Sequence, residues 1–245
     1  MDMTALDIPD LSIVTDMDSM FAKSGLSGNA SMGTWNMSNV TRITTMFFRT
    51  PNFNQNINGW DISGVSSLQN IFAESAFNKP LNAWNTSAVT NLTNVFSRNS
   101  VFNQPLSNWD VSNVTNLSGT FREAVSFNQD ISSWNVSNVV DMGSFFYDGT
   151  FAGANSLDFD CIKNWDVSSV TDFSSVFFGC LQSVIPVENW DVSSGLDFIS
   201  TFLECTNLQE LDLSSWSPTP NRMQSMFKGC ENLISLNLDG FNMSS

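Results

Sequence analysis

Apolar positions return along this chain in steps of about 25 residues. Trp35, Trp60, Trp84, Trp109, Trp134, Trp165 and Trp190 are each followed twelve residues later by a phenylalanine (Phe47, Phe72, Phe96, Phe121, Phe146, Phe177 and Phe202), and Trp216 is followed after eleven by Phe227. A double register of this length marks stacked repeats, none of which can bury its apolar face alone. Between tryptophan and phenylalanine the period is helical: Val114, Leu117 and Phe121 lie at i, i+3 and i+7, as do Val40, Ile43, Phe47 and Val170, Phe173, Phe177. That spacing predicts one face of a short helix. Ahead of the later aromatics the period is two. Leu211 and Leu213 before Trp216, and Leu236 and Leu238 before Phe241, point to one face of a strand.

The polar positions complete the unit. Ser112, in register with Ser38, Ser63, Ser87, Ser137, Ser168 and Ser193, is placed to cap the short helix. Asp61, Asn85, Asp110, Asn135, Asp166 and Asp191, each directly after a tryptophan, can close an Asx-turn. The predicted fold class is therefore α/β, a right-handed solenoid of about nine strand-turn-short-helix coils forming one domain over 1–245. Residues 1–34 form a cap-like unit that lacks the tryptophan, 35–146 regular units, 147–164 an insertion, and 165–245 leucine-rich units, the last incomplete. The insertion shows as 19 residues from Phe146 to Trp165, against 13 from Phe121 to Trp134.

Composition narrows the function classes. Hydrophobic residues make up 42% of the chain and suffice for a core, while 24 acidic against 9 basic residues leave a net charge of -15. Without a basic stripe, nucleic acid and anionic membrane are poor partners. No apolar run approaches the roughly 20 residues of a membrane helix. The start, Met1 to Thr4, shows no secretory signal, and the chain reads as a segment of something longer. There is no histidine, so the commonest general base and metal ligand is missing. The carboxylate pairs Asp16/Asp18 and Asp158/Asp160 read as solvated loop residues, and no cofactor is expected.

Cys180, Cys205 and Cys230 recur in steps of 25 without the close spacing of a metal or redox motif. They read as reduced, buried small hydrophobes on helices about 8–10 Å apart. Cys161, on the insertion, has a separate claim to exposure. Thr15, Thr41, Thr90, Thr115 and Thr171 form a broken row, one per unit, that reads as a turn position. No D-x-D-x-D-G loop marks a calcium site. N-x-S/T triplets are a by-product of the repeat.

The run Met223-Gln-Ser-Met226-Phe227-Lys-Gly-Cys230-Glu-Asn-Leu233-Ile-Ser-Leu236-Asn-Leu238 resembles the BspA-like leucine-rich repeats of bacterial and protist surface proteins. The resemblance covers essentially the whole chain, with Ser24, Thr50, Ser75 and Ala124 in the cysteine place. It implies a curved LRR-like solenoid, extracellular or on the cell surface, that adheres to other molecules, and it brings no catalytic residue.

The expected function is a non-enzymatic binding or adhesion module for a protein or glycan partner. Its surface is the concave strand face, at positions two to four before each aromatic: Asn56, Asn58, Asp130, Ser132, Glu188, Asp212 and Asn237. Pro80, Pro105, Asn82 and Ser107 continue the same rows. The alternatives are a spacer carrying another domain and an ice- or calcium-interacting solenoid.

Overall fold

The computed structural model describes residues 8–148 and 161–241. The repeats do stack on one another in sequence order, but not as an α/β solenoid of strand-turn-helix coils. Among the described residues helix is confined to a 3-10 turn, Ala30–Thr34, and strand to β1 (Glu210–Asp212) and β2 (Ser235–Asn237). The two strands pair in parallel with Leu211 opposite Leu236, so the period-two leucines gave a strand only in the last two repeats.

The segment from Val114 to Ala124 shows why the helix does not form. Thr120, Arg122 and Ala124 donate their N–H groups three residues back, to Leu117, Gly119 and Phe121 (3.1, 3.1 and 3.0 Å). The alternate residues Leu117, Gly119, Phe121 and Glu123 donate instead to Asp141, Gly143, Phe145 and Tyr147 of the next repeat (2.8, 2.9, 3.1 and 2.7 Å). In a helix every N–H would bond four residues back along its own axis. Here a left-handed residue recurs every fourth position and reverses the curl, as at Gly119 (φ 63°) and Glu123 (φ 54°). Pairs four residues apart occur nine times among the described residues, from Ser19/Lys23 and Thr45/Arg49 to Ser225/Gly229.

Most of these positions are not glycine, and an L-residue there costs about 1–2 kcal/mol. In the eight pairs before Ser225/Gly229 each such N–H gains a bond to its neighbour repeat, worth about 0.5–1.5 kcal/mol. The remaining stabilisation comes from packing. An i, i+3, i+7 apolar face is therefore kept, but by a ribbon of turns.

The core is a set of aromatic columns that run from repeat to repeat. Phe47, Phe72, Phe96 and Phe121 stack at 5.9, 6.0 and 5.8 Å between ring centres. Beside them Phe53, Phe77, Phe102 and Phe127 stack at 6.0, 6.4 and 6.1 Å. Within a repeat the two columns touch, as for Phe96 and Phe102 at 3.8 Å. The tryptophans form a third column, nearly parallel at Trp84, Trp109 and Trp134 (7° and 2°).

Six of the eight indole N–H groups also reach into the preceding repeat. Trp60, Trp84, Trp109, Trp134, Trp190 and Trp216 donate Nε1–H to a carbonyl 27 to 29 residues earlier, such as Leu81 O for Trp109 (3.2 Å). Trp35 and Trp165 are buried with Nε1 unpartnered. Trp165 is the first tryptophan after the inserted segment, where the register of repeats is offset.

Candidate functional site

The Asx residues after the tryptophans do close turns, but the serines expected to cap a helix cap none: each donates its backbone N–H to the Asx oxygen two residues before it. Asp110 Oδ1 accepts both the backbone N–H (3.0 Å) and the hydroxyl (2.6 Å) of Ser112. These bonds hold the Asp110 carboxyl below its ordinary range, the Ser112 hydroxyl contributing most. The threonine row forms a ladder of its own: the hydroxyls of Thr41, Thr90, Thr115 and Thr171 each donate to the carbonyl one repeat back.

The seven candidate binding residues lie on the turns that precede the aromatics. On that side a groove of about 610 Å³ is lined by Asn54, Gln55, Asn56, Asn58 and Lys79. A second, of about 390 Å³, gathers Glu188, Asp212 and Asn237 beside Val184 and Glu210. Asp130 and Ser132 line neither groove.

None of the seven is free of structural duty except by degree. Asn56, Asp130, Asp212 and Asn237 accept the N–H two residues on (3.1, 2.8, 2.9 and 3.1 Å). Ser132 supplies the N–H for Asp130, Asn58 accepts Ala83 N–H of the next repeat, and Glu188 pairs with Lys163 at 2.7 Å. Hydrogen bonds from Ser132 keep the Asp130 carboxyl below its ordinary range, and those from Ser214 do the same for Asp212. The Asx-x-Ser signal that marks Asp110/Ser112 is also present at Asp130/Ser132 and Asp212/Ser214, and it identifies them as turn closers.

Sequence reasoning missed the asparagine ladder of the Phe-Asn-Gln repeats. Asn54, Asn78 and Asn103 each accept, through Oδ1, the backbone N–H of the equivalent asparagine one repeat on (2.9, 3.0 and 2.9 Å). The side chain thus stands in for a strand carbonyl. The in-register asparagines at 54, 78, 103 and 128 are its signal in the sequence.

A second missed row runs through Ser67, Asn91, Asn116, Asp141, Asp172 and Asp197 to Arg222, linked by parallel bridges between successive repeats. Asn116 Nδ2 donates to Asp141 Oδ2 at 2.9 Å, and Arg222 Nη1 to Asp197 Oδ2 at 2.8 Å. Burial and the neighbouring Asp172 push the Asp141 carboxyl up. The native state therefore holds this proton more tightly than the unfolded chain. The resulting destabilisation is complete at neutral pH and is relieved as pH falls through the carboxylate range.

Asp172→Asn removes the repelling charge and keeps the acceptor for Ser174 N–H (2.8 Å). At pH 7 it is expected to raise stability by about 0.5–1 kcal/mol, a gain that disappears below about pH 4. Urea unfolding at the two pH values reads both effects.

The other candidate groups fall into structural roles. Asp16 and Asp18 are both paired with Arg42, and Asp18 also accepts Thr44 N–H at 2.7 Å. Although burial opposes it, these partners hold the Asp18 carboxyl below its ordinary range. Asp158 and Asp160 lie outside the described residues. Cys180 and Cys205 are buried as expected, Cys230 is only half-buried like Cys161, and none of the four is in a disulfide.

The expected spacing of the cysteine row is overturned, because successive repeats lie one backbone hydrogen bond apart, as Phe202 N to Met226 O at 3.0 Å shows. The thiols of Cys205 and Cys230 each donate to a phenylalanine carbonyl 28 residues back, Phe177 O and Phe202 O, at 3.0 Å. Among the described residues no three Cys, Asp or Glu side chains are grouped to hold a metal ion. No helix there is long and apolar enough to cross a membrane.

No curated protein matches the chain. The BspA-like leucine-rich-repeat resemblance is not upheld either: the family model that matches is a different one, and the helices that such a solenoid would carry are absent from the described residues. Matched over residues 2–87, 67–151 and 148–245, the chain belongs to the family described as Mycoplasma protein of unknown function, DUF285.

Proposed function

We propose that this chain is a non-enzymatic binding module, exposed outside the cell or on its surface, that takes a protein or glycan partner on the turns preceding each aromatic. One observation carries the reading: along that row the side chain changes from repeat to repeat while the turn beneath it does not. Asn56, Pro80, Pro105, Asp130 and Asp212 occupy equivalent exposed positions. The following turn closes alike behind Asn56, Pro80, Pro105 and Asp130, with Trp60, Trp84, Trp109 and Trp134 donating three residues back at 3.0–3.1 Å. Packing fixes the aromatic columns and the ladders between repeats. It leaves this row open to variation, which suits recognition.

The test is a triple variant, Asp130→Asn, Glu188→Gln and Asp212→Asn. The two asparagines keep an Oδ1 acceptor for Ser132 and Ser214, so the turns survive while three negative charges go. Parent and variant are screened side by side on glycan and peptide arrays. A partner of the parent should bind the variant at least about tenfold more weakly, with the unfolding midpoint within the effect of about 0.5 kcal/mol usual for exposed changes. If every partner binds both proteins equally, the face is not the site, and a spacer that carries another domain becomes the better reading.

A further inference from the structure

We infer that the groove at Asn54, Asn56, Asn58 and Lys79 is a subsite for a carboxylate-bearing sugar, a uronic acid unit. This rests on the binding-face reading and specifies its ligand. The argument begins with the amides, whose orientation is fixed by their partners. Asn54 Oδ1 accepts Asn78 N–H at 2.9 Å, Asn56 Oδ1 accepts Asn58 N–H at 3.1 Å, and Asn58 Oδ1 accepts Ala83 N–H at 2.9 Å. Because each partner is a donor, each oxygen must face it, and the NH₂ group is turned the other way. No protein acceptor among the described residues takes the Nδ2–H groups of these three asparagines.

Lys79 departs from its register. Gln55, Gln104 and Gln129 hold the equivalent position, and each donates Nε2–H to the preceding repeat: Gln55 to Ser27 O, Gln104 to Asn78 Oδ1 and Gln129 to Asn103 Oδ1 (2.9, 2.9 and 2.8 Å). Lys79 makes no such bond, forms no ion pair among the described residues, and lines the groove. It is one of only 9 basic residues in a chain of net charge -15.

The groove is thus lined by three asparagines whose NH₂ groups have no acceptor among the described residues and by the Lys79 ammonium, beside the acceptors Gln55 Oε1, the Thr34 hydroxyl and the backbone carbonyl of Asn56. Such an excess of donors selects a ligand rich in oxygen acceptors with a single negative charge, since the field of the whole chain repels a polyanion. Peptide recognition would call for a free strand edge or apolar pockets. Ala30 is the only apolar side chain in the lining, and the floor is backbone: a Cβ on Gly33 would sit 2.3 Å from Asn56 O. A sugar carrying hydroxyls and one carboxylate fits these donors.

The matched probes are methyl β-D-glucuronide and methyl β-D-glucoside, which differ by carboxylate against hydroxymethyl, with N-acetyl-glutamate amide as the peptide-like acid. Side-chain amide resonances of the ¹⁵N-labelled protein are followed during titration. The glucuronide should shift those of Asn54, Asn56 and Asn58 saturably, and more tightly than either other probe. Lys79→Gln restores the residue that the other repeats carry, so the fold is retained; it should weaken the glucuronide about tenfold and abolish its preference over the glucoside.

Unsaturable glucuronide shifts, equal affinity in Lys79→Gln, or tighter binding of the glutamate amide would overturn the inference. The Asp130/Glu188/Asp212 triple variant leaves this groove intact and should bind the glucuronide like the parent. If that variant loses an array partner while glucuronide never binds the parent, the subsite fails and the binding-face reading stands.

Discussion

Trp109→Ala lowers the stability of the protein by about 3–5 kcal/mol, the range for emptying a buried tryptophan site. The ring is 3% exposed and lies in a column between Trp84 and Trp134, at 6.5 and 6.4 Å, with Phe96 at 6.0 Å. Burial of roughly 150–250 Å² at about 25 cal/mol per Å² sets an upper bound near 4–6 kcal/mol on the transfer part. Trp109→Phe separates the two contributions: it keeps most of the stacking and removes the indole bond to Leu81 O, which still accepts Trp84 N–H, so the lost bond costs about 0.5–1.5 kcal/mol. At Trp35, whose Nε1 has no acceptor, the same change to phenylalanine removes no hydrogen bond and is expected to cost less. Urea titrations of the four proteins give the comparison. Equal losses at the two sites would show that the indole bonds contribute nothing.

Asn99→Ala is expected to cost about 2–4 kcal/mol, chiefly as the penalty of buried groups left without partners. Asn99 is fully buried, and its amide does the work of three backbone contacts. Nδ2 donates to Phe77 O at 2.9 Å, while Oδ1 accepts Val101 N–H at 3.2 Å and Phe102 N–H at 3.0 Å. In the next repeat Ala124 holds the equivalent position without harm, because there Phe127 N–H bonds Ala124 O at 2.9 Å. The loss at position 99 therefore measures the local backbone, which has been built around an amide. A midpoint unchanged from the parent would mean that the Asn99 repeat relaxes to the geometry of its neighbour.

Much of the core was legible in the sequence, because burial of Trp and the Phe column depends on identity and register alone. The secondary structure was not. An apolar face at i, i+3 and i+7 is shared by a helix and by a ribbon of alternating turns, and the left-handed residues that decide between them are Thr45, Arg49, Glu74, Arg98 and their like. Glycine would have announced those positions; Arg and Glu do not. Strand was legible only where Leu211/Leu213 and Leu236/Leu238 alternate, since in the earlier repeats Asn54, Asn78 and Asn103 supply through side chains the acceptors that a strand supplies through backbone.

The exposure of the candidate residues was legible in the sequence, and the hydrogen bonds they make were not. Asp130 and Asp212 are exposed, as expected, yet each closes a turn by accepting the N–H of Ser132 or Ser214. Lys79 could be found only by comparing it with Gln55, Gln104 and Gln129. Its significance comes from bonds that those glutamines make and it does not.

The claim beneath all of this is that the repeats are joined by alternate backbone N–H groups directed to the next repeat. Scalar couplings transmitted across hydrogen bonds, measured on deuterated, ¹³C,¹⁵N-labelled protein, test it at single residues. The structure predicts couplings from the amide nitrogens of Gly119, Phe121 and Glu123 to the carbonyl carbons of Gly143, Phe145 and Tyr147, the pairs bonded at 2.9, 3.1 and 2.7 Å. Couplings from the same three nitrogens to carbonyls four residues earlier in their own repeat would show a helix in place of the turn ribbon and contradict the account.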